Sequence, residues 1–148
     1  CYGYFSDFSR TFRCGPGKPT ANQKMLYRMS HDQIQHNVGV IKPGLTFREI
    51  ADAAWKIPAK FVEQRYTSVM HGVGMHGETP FIAHAVDFAT YGREGVLQPG
   101  MVVSVESYIG EKHGREGVKL EEEVLVTETG AEPISRFPFE DELLEAQV

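Results

Sequence analysis

Cysteine and tryptophan are scarce: the chain holds two cysteines, Cys1 and Cys14, and one tryptophan, Trp55. Two thiols make no disulfide framework, so a reducing cytoplasm is the expected compartment. Basic residues are also short, with 15 Lys and Arg against 20 Asp and Glu and a net charge of −5. No basic surplus is left to neutralise phosphates, which argues against a nucleic-acid partner and against an anionic membrane surface. Long apolar runs are missing too. Stretches such as residues 100–105 fall far below the roughly 20 residues a membrane-spanning helix needs, and no signal-peptide pattern opens the sequence. Solenoid-period repeats and low-complexity linkers are likewise absent. What remains is ordinary: 148 residues, 41% hydrophobic and 24% charged, enough for one globular domain with a real core.

The chain begins at Cys1 on "CYGYFSDF", where Cys1, Gly3 and Phe5 alternate with Tyr2, Tyr4 and Ser6 as on the two faces of a strand. A domain seldom starts in mid-strand on aromatics, so residues 1–148 are expected to be the C-terminal part of one larger catalytic domain. After the turn cluster "CGPGKP", Thr20 with Gln23 forms a capping box and opens a helix. Met25, Leu26, Met29, Val38 and Ile41 are the candidates for its buried side. That helix stops at "KPG", residues 42–44. A second capping box, Thr46 with Glu49, starts another helix whose stripe of Phe47, Ile50, Ala51, Ala54 and Trp55 ends by Pro58. From residue 66 the texture is that of strands: "YTSVM", then a turn at "LQPG", "MVVSVESYI", a hairpin loop at residues 110–117, and "VKLEEEVLVTE" returning. The expected class is α+β, two helices packed on a curved antiparallel sheet.

Carboxylates and histidines at strand positions, where a rigid scaffold can aim them inward, are the candidates for chemistry. Asp7 lies in the first segment, His71 opens a glycine-rich loop, Glu106 is the lone acid in apolar "VVSVES", and Glu121 starts "EEEVLVTE". Burying such carboxylates costs several kcal/mol unless a cation or a donor compensates. Three carboxylates converging with one imidazole would suit Mn, Fe or Co, or a two-metal zinc site. Simpler readings stay open on spacing alone. Asp7 could pair with Arg10 or Arg13, residues 121–123 could be a solvated charge run, and His71 could be a satisfied loop histidine. His31 and His36, five apart on a helix, face different ways. Trp55, Met25 and Met29 read as core, and His113 as an exposed loop residue. Asp87 and Tyr91 are candidates for the wall of a pocket.

The words "GYFSDFSRTF", "HGVG", "LQPGMVVSVES" and "KLEEEVLVTETG" resemble, in order, the metal-site segments of the pita-bread metallopeptidase superfamily, the group of methionine aminopeptidase, Xaa-Pro aminopeptidase, prolidase and creatinase. The resemblance covers about residues 1–140. It implies a pita-bread, creatinase/aminopeptidase-like fold, here incomplete, with a dinuclear divalent metal centre. Asp7 and Glu121 would bridge the ions and His71 and Glu106 would hold one of them. A further aspartate that the family carries about a dozen residues before Asp7 has no counterpart in this sequence, so the second ion is expected to be held weakly. A homodimer is also implied.

Within that superfamily the chain resembles most the bacterial dimethylsulfoniopropionate-lyase branch, in "SDFSRTFRCGPGKPT", "HNV", "YTSVMHGVGM" and Glu78. This likeness implies a carbon–sulfur lyase that takes a small carboxylate substrate and releases dimethyl sulfide and acrylate by β-elimination. Iron is the first expectation for the metal, with Mn, Zn or Co as the others. Tyr66, His71 and His76 would contact substrate. The branch's catalytic aspartate corresponds to Gly77 here, which leaves Glu78 as the candidate base beside Tyr66. The peptidases carry a His–Glu pair seven and eight residues after the loop histidine, where this sequence has Glu78 and Thr79. A Xaa-Pro dipeptidase or aminopeptidase is the alternative reading, with His76 or His84 standing in for the missing histidine. A catalytically inactive binding module is the second alternative.

Overall fold

A computed structural model describes residues 2–76 and 79–145. Its elements in chain order are α1 (Ala21–Val40), α2 (Phe47–Ala53), a 3-10 helix (Ala59–Gln64), β1 (Ser68–Gly72), β2 (Phe81–Ala83), α3 (Phe88–Tyr91), β3 (Val102–Gly110), β4 (Gly117–Val126), β5 (Ala131–Pro133) and α4 (Asp141–Leu144). The five strands form one antiparallel sheet in the order β2-β1-β3-β4-β5. Both capping boxes form as the sequence predicts. Thr20 accepts from the Gln23 backbone N–H while the Gln23 side chain answers the Thr20 N–H, and Thr46 and Glu49 repeat the exchange.

The two faces of the sheet have different chemistry because side chains alternate along a strand. Glu106 of β3 stands opposite Glu121 of β4, and His71 of β1 opposite Ser104 of β3, so these four share one face. Val103, Val105, Ile109, Leu120 and Val124 point to the other face, where they join the buried core with Leu26, Tyr27 and Ile34 of α1. α1 buries a mixed stripe rather than a purely apolar one. Ser30, Gln33 and Asn37 are fully enclosed, and Ser30 and Gln33 are both bonded to Ser107 on β3, at 2.8 and 2.7 Å. Of the expected buried set, Leu26 and Ile41 are in the core, while Met25, Met29 and Val38 are half-buried against it.

Two expectations are corrected. Residues 2–8 do not form a strand: Tyr2 and Gly3 have φ of 54° and 87° and make a turn. β5 takes only Val124 to Val126 of the outer edge of β4, and the first segment meets the rest of that edge at isolated points instead of as a strand. Ser9 alone bridges to Glu121, with Thr11 bonded to the Lys119 backbone beyond it. The second helix is also shorter than its stripe suggests. It ends at Ala53, and the Trp55 N–H donates to Asn37 Oδ1 at 2.8 Å instead of continuing the helical ladder. Trp55 still packs against the core. His31 meets the Phe139 ring and His36 meets the Ala53 carbonyl, in line with their different directions on α1. His113 is exposed in the β3–β4 loop.

Candidate metal centre

Four elements meet on the polar face of the sheet. β1 brings His71, β3 brings Ser104 and Glu106, β4 brings Lys119 and Glu121, and the segment before α1 lays Asp7 over them. His71 is held where the chain turns into the glycine loop. Gly72 is required beside it, because a Cβ there would collide with the Thr79 backbone. The His71 Nδ1 lies 3.2 Å from the Gly72 carbonyl, which leaves Nε2 aimed at Glu106 Oε1, 3.1 Å away. The same Nε2 is 3.7 Å from Asp7 Oδ2 and 3.9 Å from Glu121 Oε1. Ser104 Oγ sits 2.7 Å from Glu121 Oε1 and 2.9 Å from the Asp7 carbonyl, one hydroxyl proton facing two acceptors.

Burial and charge work against each other here. Burial pushes the Glu106 carboxyl above the usual range despite its contacts with His71 and Lys119. Burial likewise pushes Glu121 up, but hydrogen bonds from Glu106, Ser104 and Lys119, with the nearby ammonium charge, hold it down to about 2. Asp7 is raised by burial and by the Glu121 charge facing it. For His71, burial disfavours the cation, yet Glu106, the Gly72 carbonyl and Asp7 outweigh it and raise the imidazole above its ordinary value.

Lys119 was not legible as part of the site. A lysine two residues before Glu121 in a charged stretch reads as solvated, and only the pairing of β3 with β4 carries it beside Glu106. Its ammonium contacts Glu106 Oε2, lies 3.1 Å from Glu121 Oε2, and sits 4.2 Å from the Tyr66 ring. With all three carboxylates ionised, one lysine leaves two negative charges uncompensated, which a divalent cation would offset. Donor atoms of Asp7, His71 and Glu121 all lie within 4.8 Å of one another, as ligands of one ion must. Glu106 stands outside this triplet, bonded to His71 and Lys119. The donor set therefore fits a hard cation with one nitrogen ligand.

Several simpler readings fall away. Asp7 does not pair with the arginines near it: Arg10 bonds Glu122, and Arg13 bonds the carbonyls of Pro16 and Gly17. Residues 121–123 are not a solvated run, since all three glutamates are buried. Glu106 is on a central strand, not an edge. Asp87 forms a two-pronged pair with Arg65, at 2.5 and 2.9 Å. Buried His84 faces the Tyr66 carbonyl at 3.0 Å. Tyr91 and His76 line an open cavity of about 1260 Å³ beside the glycine loop, whose wall includes none of Asp7, His71, Glu106 and Glu121. Gly77 and Glu78 lie outside the described residues.

The family model of metallopeptidase family M24 matches residues 1–128. The chain belongs to this family. Its sheet and helices are those of the pita-bread fold. The prolidase from Pyrococcus horikoshii superposes with a TM-score of 0.77 at 30% identity, covering 93% of this chain and 38% of that one. Two dimethylsulfoniopropionate lyases, from Roseovarius nubinhibens and Roseobacter denitrificans, are 34% and 37% identical over 97% of the chain. The chain spans about a third of the length of each lyase, 32%. M24 is a family of metal-dependent enzymes, and this chain keeps a carboxylate–histidine group able to hold an ion. No helix among the described residues is long and apolar enough to cross a membrane.

Proposed function

We propose that the chain carries the metal-binding part of a lyase that cleaves dimethylsulfoniopropionate to dimethyl sulfide and acrylate. The observation that carries this reading is the likeness to the two lyases across 97% of the chain. The glycine loop agrees, having Glu78 and Thr79 where the peptidases have their His–Glu pair. Asp7, His71, Glu106 and Glu121 would hold a dinuclear centre, with iron the first candidate and Mn, Zn or Co the others. Such a centre supplies Lewis acidity toward the substrate carboxylate, which offsets the charge developing there as the neighbouring carbon loses its proton.

The chain's own residues do the rest. Glu78 takes the proton from the carbon next to the carboxylate, the electron pair forms the new double bond, and the carbon–sulfur bond breaks with its electrons going to sulfur. Dimethyl sulfide leaves and acrylate remains. Tyr66, fixed against Lys119, orients the substrate together with His71, and His76 approaches it from the loop. Glu78→Gln in the full-length protein tests the assignment. Dimethyl sulfide release should fall by at least a hundredfold with metal content unchanged, and a variant as active as the parent would rule Glu78 out as the base.

A Xaa-Pro dipeptidase is the second reading, favoured by the likeness to prolidase. It requires another histidine to assist proton transfer, and His76 and His84 are the candidates.

A further inference from the structure

Residues 5–11 carry Asp7, yet their only backbone-paired position on β4 is Ser9, opposite Glu121. Beside the Phe5 N–H bond to the Gly74 carbonyl and the side-chain bonds of Ser6, Ser9 and Thr11 to β4, the segment is tied to the C-terminal residues through Arg10. Its Nη1 donates to the Ser9 carbonyl at 3.0 Å and to the Glu121 carbonyl at 2.6 Å. Nη2 donates to Glu122 Oε2 at 2.9 Å, and Nε and Nη2 both reach the Phe137 carbonyl, at 3.1 and 2.9 Å. The side chains of Arg10 and Glu122 are 3% and 6% exposed. The guanidinium also lies over the Phe139 ring, 4.0 Å from its centroid.

The C-terminal segment is itself anchored to α1 and β4. Phe139 meets His31 edge-on at 4.8 Å, and the Tyr27 hydroxyl accepts from the Glu140 N–H at 2.8 Å. Ser135 bonds Glu122 and the Glu123 N–H. We propose that Arg10 is a positioning residue: clamped between Glu122 and a strap formed by residues 135–140, it fixes the segment that presents Asp7 to the metal-binding group. This rests on Asp7 being a ligand.

A buried ion pair adds little net stability over an apolar replacement, so its geometry is where its value lies. The Asp7 side chain is half exposed, at 51%, and lies 3.7 Å from His71 Nε2, while its backbone carbonyl accepts from Ser104 Oγ. Once Arg10 is loosened, more of the ordering of Asp7 around a cation falls to the ion itself. Only the planar fork of arginine can bond three carbonyls and a carboxylate while stacking on a ring.

The test is Mn(II) titration followed by electron paramagnetic resonance on the full-length protein. The variants are Asp7→Asn, the charge-balanced Arg10→Gln/Glu122→Gln, and the combination of all three. The balanced variant should keep its far-ultraviolet circular dichroism and bind Mn(II) about tenfold or more weakly. Adding Asp7→Asn to it should cost much less affinity than Asp7→Asn costs alone, since both act through one ligand. A folded balanced variant that binds like the parent, or an equal Asp7→Asn cost in both backgrounds, overturns the proposal. Should the balanced variant not fold, Phe139→Leu removes the ring under the guanidinium together with its edge contact to His31, leaves Arg10 and Glu122 in place, and should weaken Mn(II) binding about threefold, with an unchanged affinity again overturning the proposal. A parent protein that binds no Mn(II) overturns the metal reading and this inference with it, whereas parent binding with indifferent variants overturns this inference alone.

Discussion

Glu106 and Glu121 hold their carboxyls inside a sheet, where the Lys119 ammonium contacts both beside the His71 imidazole. Removing it leaves buried acids without compensation, so Lys119→Met should destabilise the metal-free protein by about 3 kcal/mol. Metal that binds only the folded state should recover much of that loss. Urea unfolding with and without Mn(II) reads both quantities, and equal losses in the two conditions would contradict the charge argument. A second residue-level prediction concerns His84. Burial and the Arg65 charge hold this imidazole below its ordinary value of 6.5. The unfolded chain therefore takes up a proton that the folded chain refuses, so the contribution of His84 is fully present above about 6.5 and is lost as pH falls toward the lower folded value. The loss amounts to up to about 1.4 kcal/mol per pH unit. His84→Gln should flatten that part of a stability–pH curve, and an unchanged slope would show that His84 is not its source. At this scale the sequence was legible where a residue contradicted its surroundings. A lone glutamate in "VVSVES" stood out, whereas Lys119, Arg10 and Glu122 looked like ordinary surface charges because their partners come from distant strands and from the C-terminal segment.

Elements with local signals were read well, and elements defined by partners were not. Each capping box is complete within four residues, so Thr20 and Thr46 could be placed from the sequence alone. The segment "CYGYFSDF" has the alternation of a strand, but the turn at Tyr2 and Gly3 and the single bridge from Ser9 to Glu121 show that it does not run along the β4 edge. The end of α2 was missed for a similar reason, since a side chain from α1, Asn37, takes the Trp55 N–H. The three buried glutamates at 121–123 illustrate the same limit. Two face the carboxylate site and the third faces Arg10, an arrangement set by sheet register rather than by charge pattern. Between β1 and β2 the decisive element is Gly72, where the chain returns so closely that a methyl group has no room. Gly72→Ala should cost about 1–3 kcal/mol in denaturant unfolding and weaken metal binding by displacing His71. A variant with parental stability and metal affinity would show that the loop can give way without disturbing the site.

The whole molecule joins a pita-bread sheet, a carboxylate–histidine group on one face and a C-terminal segment that meets Arg10, three residues after Asp7. The core lies between α1 and the opposite face, so the polar site is supported from below by apolar packing rather than built on mobile loops. The fold and the face that gathers His71, Glu106 and Glu121 were legible because the motifs carrying them are strand words with fixed alternation. The chemistry was less so, because it depends on residues 77–79 of one loop, where the lyase and peptidase patterns diverge. The chain spans about a third of the length of the lyases it matches, so the proposed activity is tested on the full-length protein. The most direct measurement loads that protein with Fe, Mn or Zn in turn and assays headspace dimethyl sulfide from dimethylsulfoniopropionate beside hydrolysis of Xaa-Pro dipeptides, with His71→Ala as the control. The account predicts dimethyl sulfide release that depends on metal and on His71, with no peptide cleavage. Peptide cleavage without dimethyl sulfide would contradict it.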